Sequence, residues 1–125
     1  MGEVLWVAAG GMAGAICRFL VGKFTARHYS ASFPVATLFI NFSGSLLIGF
    51  FLVWTSERVL ADPRWRLMIA IGFCGAYTTF SSYAFESLKL FEQGAFRLAA
   101  LNLLGNNLAA LTAVVLGAVL ARRIG

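Results

Sequence analysis

The 125-residue sequence is 60% hydrophobic and 12% charged, with a formal net charge of +5. A soluble domain carries about 25% charged residues, so a soluble enzyme module is excluded; one histidine and two cysteines also form no metal pattern. The Lys and Arg gather at the ends of apolar runs, where anionic lipid headgroups account for them, and no basic face is left for nucleic acid.

Four apolar runs follow one another, each near the roughly 20 residues that a bilayer core requires. The first, residues 4–21, is interrupted only by Arg18. Glu3 makes its start acidic rather than basic, so it is read as a retained helix and not a cleaved leader. A loop over 22–32 leads past Pro34 into the second run, 33–54, which carries no charge and places Asn41 near its centre. Asp62-Pro63 is a turn signal inside the next loop, 55–66. The third run, 67–88, has Glu86 near its end, and a loop over 89–97 leads to the fourth, 98–121. That last run is uncharged and holds Asn102, Asn106 and Asn107 in its first half. Cys17 and Cys74 fall inside apolar runs and are read as small packing residues. The expectation is a single all-α domain over 1–125, a multi-pass membrane protein with four transmembrane helices.

The third run is unlike the others. Gly72, Gly75 and the Thr78-Thr79 pair weaken its helix, and hydroxyls crowd the stretch "GAYTTFSSYAF". Non-helical backbone at membrane depth survives only where protein or a polar cavity covers it, so a break near the middle requires one or the other. A break also releases carbonyls, which suit a hard cation such as sodium.

Basic residues are almost evenly divided between the two sides. Arg58, Arg64, Arg66, Arg122 and Arg123 fall on one side, and Lys23, Arg27, Lys89 and Arg97 on the other. Orientation is set by an imbalance of Lys and Arg, so by charge alone this chain either takes one topology fixed by a single local charge or inserts both ways, and in the second case it can pair with its own inverted copy. Small residues recur four apart at Gly105, Ala109, Ala113, Gly117 and Ala121, at Gly10 and Gly14, and at Ser45 and Gly49. Such stripes allow close helix approach, either within one bundle or between copies.

The buried polar groups are amides and hydroxyls, which donate as well as accept. Carboxylates at mid-membrane, the mark of a cation or proton pathway, are missing. The balance favours a small anion, with Arg18 as a fixed positive charge near a span end. Phe80 and Tyr83, three apart, are placed on one helical face, and an aromatic ring can meet an anion with its positive edge.

The stretch "GFCGAYTTFSSYAFE" (72–86) resembles the third-helix signature of the CrcB/Fluc fluoride channels. "GGMAGAICRF" (10–19) and "FPVATLFINFSGSLLIGF" (33–50) are similar to that family's first- and second-helix motifs. The resemblance implies a dual-topology, antiparallel homodimer with two pores that passively exports fluoride across the cell (inner) membrane. It implies a structural sodium ion at the dimer interface, held by the backbone carbonyls of Gly75 and Thr78. Asn41, Phe80 and Ser81 match pore positions, and Arg18 and Glu86 match a vestibule arginine and a third-helix glutamate. Tyr83 stands where the family has its second pore phenylalanine, Asn102 and Asn106 stand where it has a tyrosine and a serine, and Ala36 replaces a usual glycine. The predicted partners are thus fluoride, sodium, lipid and a second copy of the chain. The alternative, a small four-helix multidrug or guanidinium exporter, needs a deep acid in the first helix, where Glu3 at the start is the sole candidate.

Overall fold

A computed structural model describes residues 1–58 and 62–125. Among these residues every regular element is helical: α1 (Gly2–His28), α2 (Val35–Ser56), α3 (Pro63–Trp65), a π-wound segment (Arg66–Cys74), α4 (Gly75–Tyr77), α5 (Phe80–Glu92) and α6 (Phe96–Ile124). They make four helices long and apolar enough to cross a membrane, the third of them running from Pro63 to Glu92. Hydrocarbon offers the backbone no partner, so each crossing must satisfy its own amides, and a helix does this within one segment.

The helices outrun the apolar runs. The loop expected over 22–32 shrinks to residues 29–34, because α1 continues through Lys23 and Arg27 to His28. Apolar length marks where hydrocarbon ends, not where a helix must stop. Long basic side chains reach the interface from within a helix, and Arg27 and His28 in the last turn suit its dipole. The loop expected over 89–97 likewise shrinks to 93–95. There Gly94 takes φ +77°, the amide of Gly94 donates to Phe91 and that of Ala95 to Leu90, a glycine-terminated helix end. Asp62 is the N-cap of the third crossing, accepting from the Arg64 amide at 2.9 Å, with Pro63 at the first helical position. Residues 59–61 of the expected second loop lie outside the described residues.

Packing is in two pairs. α2 lies along α6, and α1 along the π-wound segment and α4. A Cβ on Gly117 would run into the backbone of Leu46 and Phe50, and one on Gly10 into that of Met68. The small residues at Gly10, Gly14, Gly49 and Gly117 are therefore used for close approach within one chain, whereas a Cβ on Gly105 of the same α6 stripe would meet nothing.

The interior is unusually polar. Thr37, Thr79, Ser87, Asn102 and Asn106 are buried beside Ile40, Cys74, Tyr77, Tyr83 and Ala113, while Leu104, Leu108 and Leu111 point outward. Lipid is as apolar as leucine, so burial of large apolar groups gains little here; close backbone approach and internal hydrogen bonds hold the bundle instead.

Candidate functional site

Tyr77 ends α4, and Thr78 (φ −76°, ψ 157°) and Thr79 (φ −146°, ψ 120°) are extended before α5 starts at Phe80. Two side chains stabilise this join. Thr79 is the N-cap of α5, its hydroxyl accepting from the Ser82 amide at 3.1 Å. Asn41, from the second turn of α2, grips Thr79 on both sides: its Oδ1 accepts from the Thr79 amide at 2.9 Å, and its Nδ2 donates to the Thr79 carbonyl at 3.0 Å.

These bonds free two carbonyls. In a continuous helix the amides of Thr79 and Ser82 would donate to Gly75 and Thr78, four residues back. Here they are spent on Asn41 and on the Thr79 hydroxyl. Gly75 is exposed, and a Cβ there would meet nothing of this chain.

The second hydrogen of the Asn41 amide goes to Asn106 Oδ1 at 3.0 Å. Asn106 Nδ2 donates to Asn102 Oδ1 at 2.8 Å and to the Asn102 carbonyl at 3.1 Å. Asn102 Nδ2 donates to Ser87 Oγ at 2.8 Å, and Ser87 donates to the Tyr83 carbonyl at 2.8 Å. Donors and acceptors thus run one way through α2, α6 and α5, from Thr79 to Tyr83. Asn102, with no exposure, forms the middle of this chain.

A cleft of about 200 Å³ opens beside the join, lined by Asn41, Ser45, Thr78, Thr79, Phe80, Tyr83, Asn106, Asn107 and Ala110. Among the described residues no carboxylate lines it. The rings of Phe80 and Tyr83 stand 5.3 Å apart at 46°; Phe80 is largely exposed and Tyr83 buried. Thr79 also lines a second hollow, of about 340 Å³, with Arg18, Thr37, Ser82 and Glu86. Glu86 in turn reaches a third, of about 360 Å³, with Ser32, Lys89 and Gln93 at the helix ends. Thr37 donates to Glu86 Oε1 at 2.8 Å, while Oε2 is buried without a partner. Arg18 and Glu86 share their hollow without pairing; the ion pair found among the described residues is Arg122–Glu57 at the surface.

Of the residues predicted to act together, the structure gathers Asn41, Thr78, Phe80, Tyr83 and Asn106 on one cleft. Asn102 stands behind it, and Arg18 and Glu86 line the adjoining hollow. Ser81 is not with them: it is exposed, and Ser82 lines the hollow instead. Sequence reasoning missed Ser87 and Asn107 as members of the site. Ser87 sits four residues after Tyr83, a spacing that shares a helix face.

Thr79→Ala tests the join by itself. Loss of an N-cap hydroxyl costs about 1 kcal/mol, and Thr79→Ser should restore it. Thermal unfolding in detergent should show a drop for the alanine variant and recovery for the serine variant.

The model of the family described as CrcB-like protein, Camphor Resistance (CrcB), matches residues 5–118. A protein of Koribacter versatilis described as fluoride-specific ion channel FluC is 55% identical over 122 residues, 98% of this chain and 97% of that one. Proteins of the same description from Maridesulfovibrio salexigens and a Sulfurihydrogenibium species are 41% and 39% identical, each across 99% of this chain.

Proposed function

This chain belongs to the CrcB family, and we propose that it is a fluoride-selective channel of the cell membrane, conducting passively and catalysing no reaction. The observation that carries this reading is a cleft built of amides, hydroxyls and two rings, with no carboxylate in its lining. Fluoride is strongly hydrated, so entry requires many donors in place of water, and exit requires that none of them be a full positive charge. The four-helix exporter reading fails on the same ground, because the first helix has no acid beyond Glu3.

Both hydrogens of the Asn41 amide are engaged, on Thr79 and Asn106. Fluoride at Asn41 therefore replaces a neutral carbonyl acceptor and does not meet a bare donor. The exchange keeps each amide satisfied before and after the ion passes, so no buried donor is orphaned at any stage. The edges of Phe80 and Tyr83 flank the ion at the cleft. The three hollows that share Thr79 and Glu86 give the approach, with Lys89 at its mouth and Arg18 beside its middle.

The functional unit is read as an antiparallel homodimer of inverted copies with two pores, the third crossing of each being broken at Thr78-Thr79. Its support is the near balance of basic residues on the two sides and the open face at Gly75. Sodium fits the freed carbonyls of Gly75 and Thr78, which are hard oxygen ligands without their helical amides. When bound, sodium supplies positive charge that ties the two joins together. A dimer that keeps its size and its flux after exhaustive sodium removal would overturn that assignment. A single-cysteine variant in cells should be labelled from outside to about half, and complete or absent labelling would mean one orientation.

The test of the function is efflux from liposomes holding the purified protein, followed with a fluoride electrode beside a chloride electrode. Fast fluoride loss with chloride retained is the expected result. No fluoride loss from a well-folded dimer would refute the channel.

A further inference from the structure

Tyr83 brings a phenol into a cleft that otherwise offers amides and alkyl hydroxyls. A phenol is the more acidic donor, and a free one would bond fluoride strongly enough to hold it. The structure shows that this proton is not free. Tyr83 Oη donates to the Leu103 carbonyl of α6 at 3.2 Å and accepts from Asn107 Nδ2 at 2.9 Å. Asn107 Nδ2 also donates to that same Leu103 carbonyl, at 2.6 Å. Three groups thus close a small ring of bonds on the face of α6, and Asn107 lies four residues after Leu103, where an amide side chain reaches that carbonyl. Asn107 itself is exposed and lines the cleft beside Tyr83 and Phe80.

Resting on the fluoride-channel reading, we propose that Asn107 is a positioning residue: it pins the Tyr83 hydroxyl against α6, so that the cleft meets the ring edge of Tyr83 and not its O–H. The pin makes a tyrosine serve as a ring without becoming a trap. Its physical basis is the count of partners. With Asn107 present, the hydroxyl has one acceptor for its proton and one donor on its oxygen. Without Asn107, a single bond to Leu103 holds it, and rotation about the C–O axis points the proton into the cleft. Asn107 also keeps its own amide turned away from the ion path, since Tyr83 and Leu103 take its hydrogens.

The proposal is specific to the pair, so a double-mutant cycle tests it. Fluoride efflux is measured for the parent, Asn107→Leu, Tyr83→Phe and the two changes combined, each reconstituted as a monodisperse protein. Asn107→Leu should slow efflux about tenfold when Tyr83 is present and less than about twofold in the Tyr83→Phe background, whatever Tyr83→Phe does alone. A trap also changes concentration dependence: Asn107→Leu should saturate at lower fluoride than the parent, a shift that loosened packing does not produce. If Asn107→Leu does not purify, Asn107→Ala is read in the same way. Equal effects of the Asn107 change in both backgrounds, whether none or large, would overturn the pin. A parent protein without fluoride efflux would instead refute the channel reading on which it rests.

Discussion

Asn41→Asp is expected to abolish fluoride efflux, by at least a hundredfold, while the protein still forms its helices. Among the described residues Asn41 is the side chain that touches the join, the amide chain and the cleft together. The substitution exchanges Nδ2 for an oxygen that would sit 3.0 Å from two acceptors, the Thr79 carbonyl and Asn106 Oδ1. Ionised, the new carboxylate donates to neither and puts a negative charge on an anion path. Protonated, it donates to one and leaves the other facing an oxygen. Each lost bond costs about 1–3 kcal/mol where a buried group is left unpaired. Two of them, about 2–6 kcal/mol, are comparable to or larger than the roughly 2.7 kcal/mol that a hundredfold rate loss represents, before repulsion of fluoride is added. Asn41→Ser supplies a neutral hydroxyl donor in place of the amide but cannot span both partners, so its efflux should fall between those of the parent and Asn41→Asp. Efflux within twofold of the parent for Asn41→Asp would remove Asn41 from the pathway.

The four crossings were legible because hydrocarbon imposes a length, and the stretch 72–86 was legible because hydroxyls and glycines are out of place at that depth. Asn41, Phe80, Tyr83 and Asn106 could be nominated one at a time on the same ground, that each is polar or ring-bearing where alkyl groups are the rule. Their convergence could not be computed, since the extended residues Thr78 and Thr79 reset the helical phase. Faces counted before the join do not carry past it. That is why Ser81 and Ser82, adjacent and chemically alike, could not be told apart, and why Ser82 rather than Ser81 lines the hollow with Glu86. The π winding of Arg66–Cys74 was equally silent, and Gly10 and Gly14 of α1 lie close against its backbone at Met68 and Phe73. Ser87 and Asn107 were missed for a different reason. A serine near a span end and a third asparagine in a row of them look like ordinary interhelical contacts, and only the geometry separates the one that closes the amide chain from the one that grips Tyr83.

Asn102→Leu should be the most damaging change away from the cleft, and it separates support from contact. Asn102 does not line the cleft, yet it accepts both bonds of the Asn106 amide, one on its side chain and one on its carbonyl, and donates to Ser87. Leucine has similar bulk, so packing volume is nearly kept, but Asn106 loses its side-chain acceptor and Ser87 its donor. Two orphaned buried groups cost about 2–6 kcal/mol together, enough to lower the unfolding temperature by several degrees. Asn106 keeps its bond to the residue 102 carbonyl but is free to turn, and the oxygen it holds toward Asn41 goes with it. Efflux should therefore fall about tenfold, equivalent to about 1.4 kcal/mol of barrier, in protein that still elutes as the parent does. Asn102→Gln tests the same point at constant chemistry, because the longer side chain carries the same groups past their partners. Recovery of stability without recovery of efflux in that variant would place the requirement on the position of the amide rather than on its presence. Full efflux in Asn102→Leu would mean that Asn106 needs no anchor and that the one-way chain of amides serves folding alone.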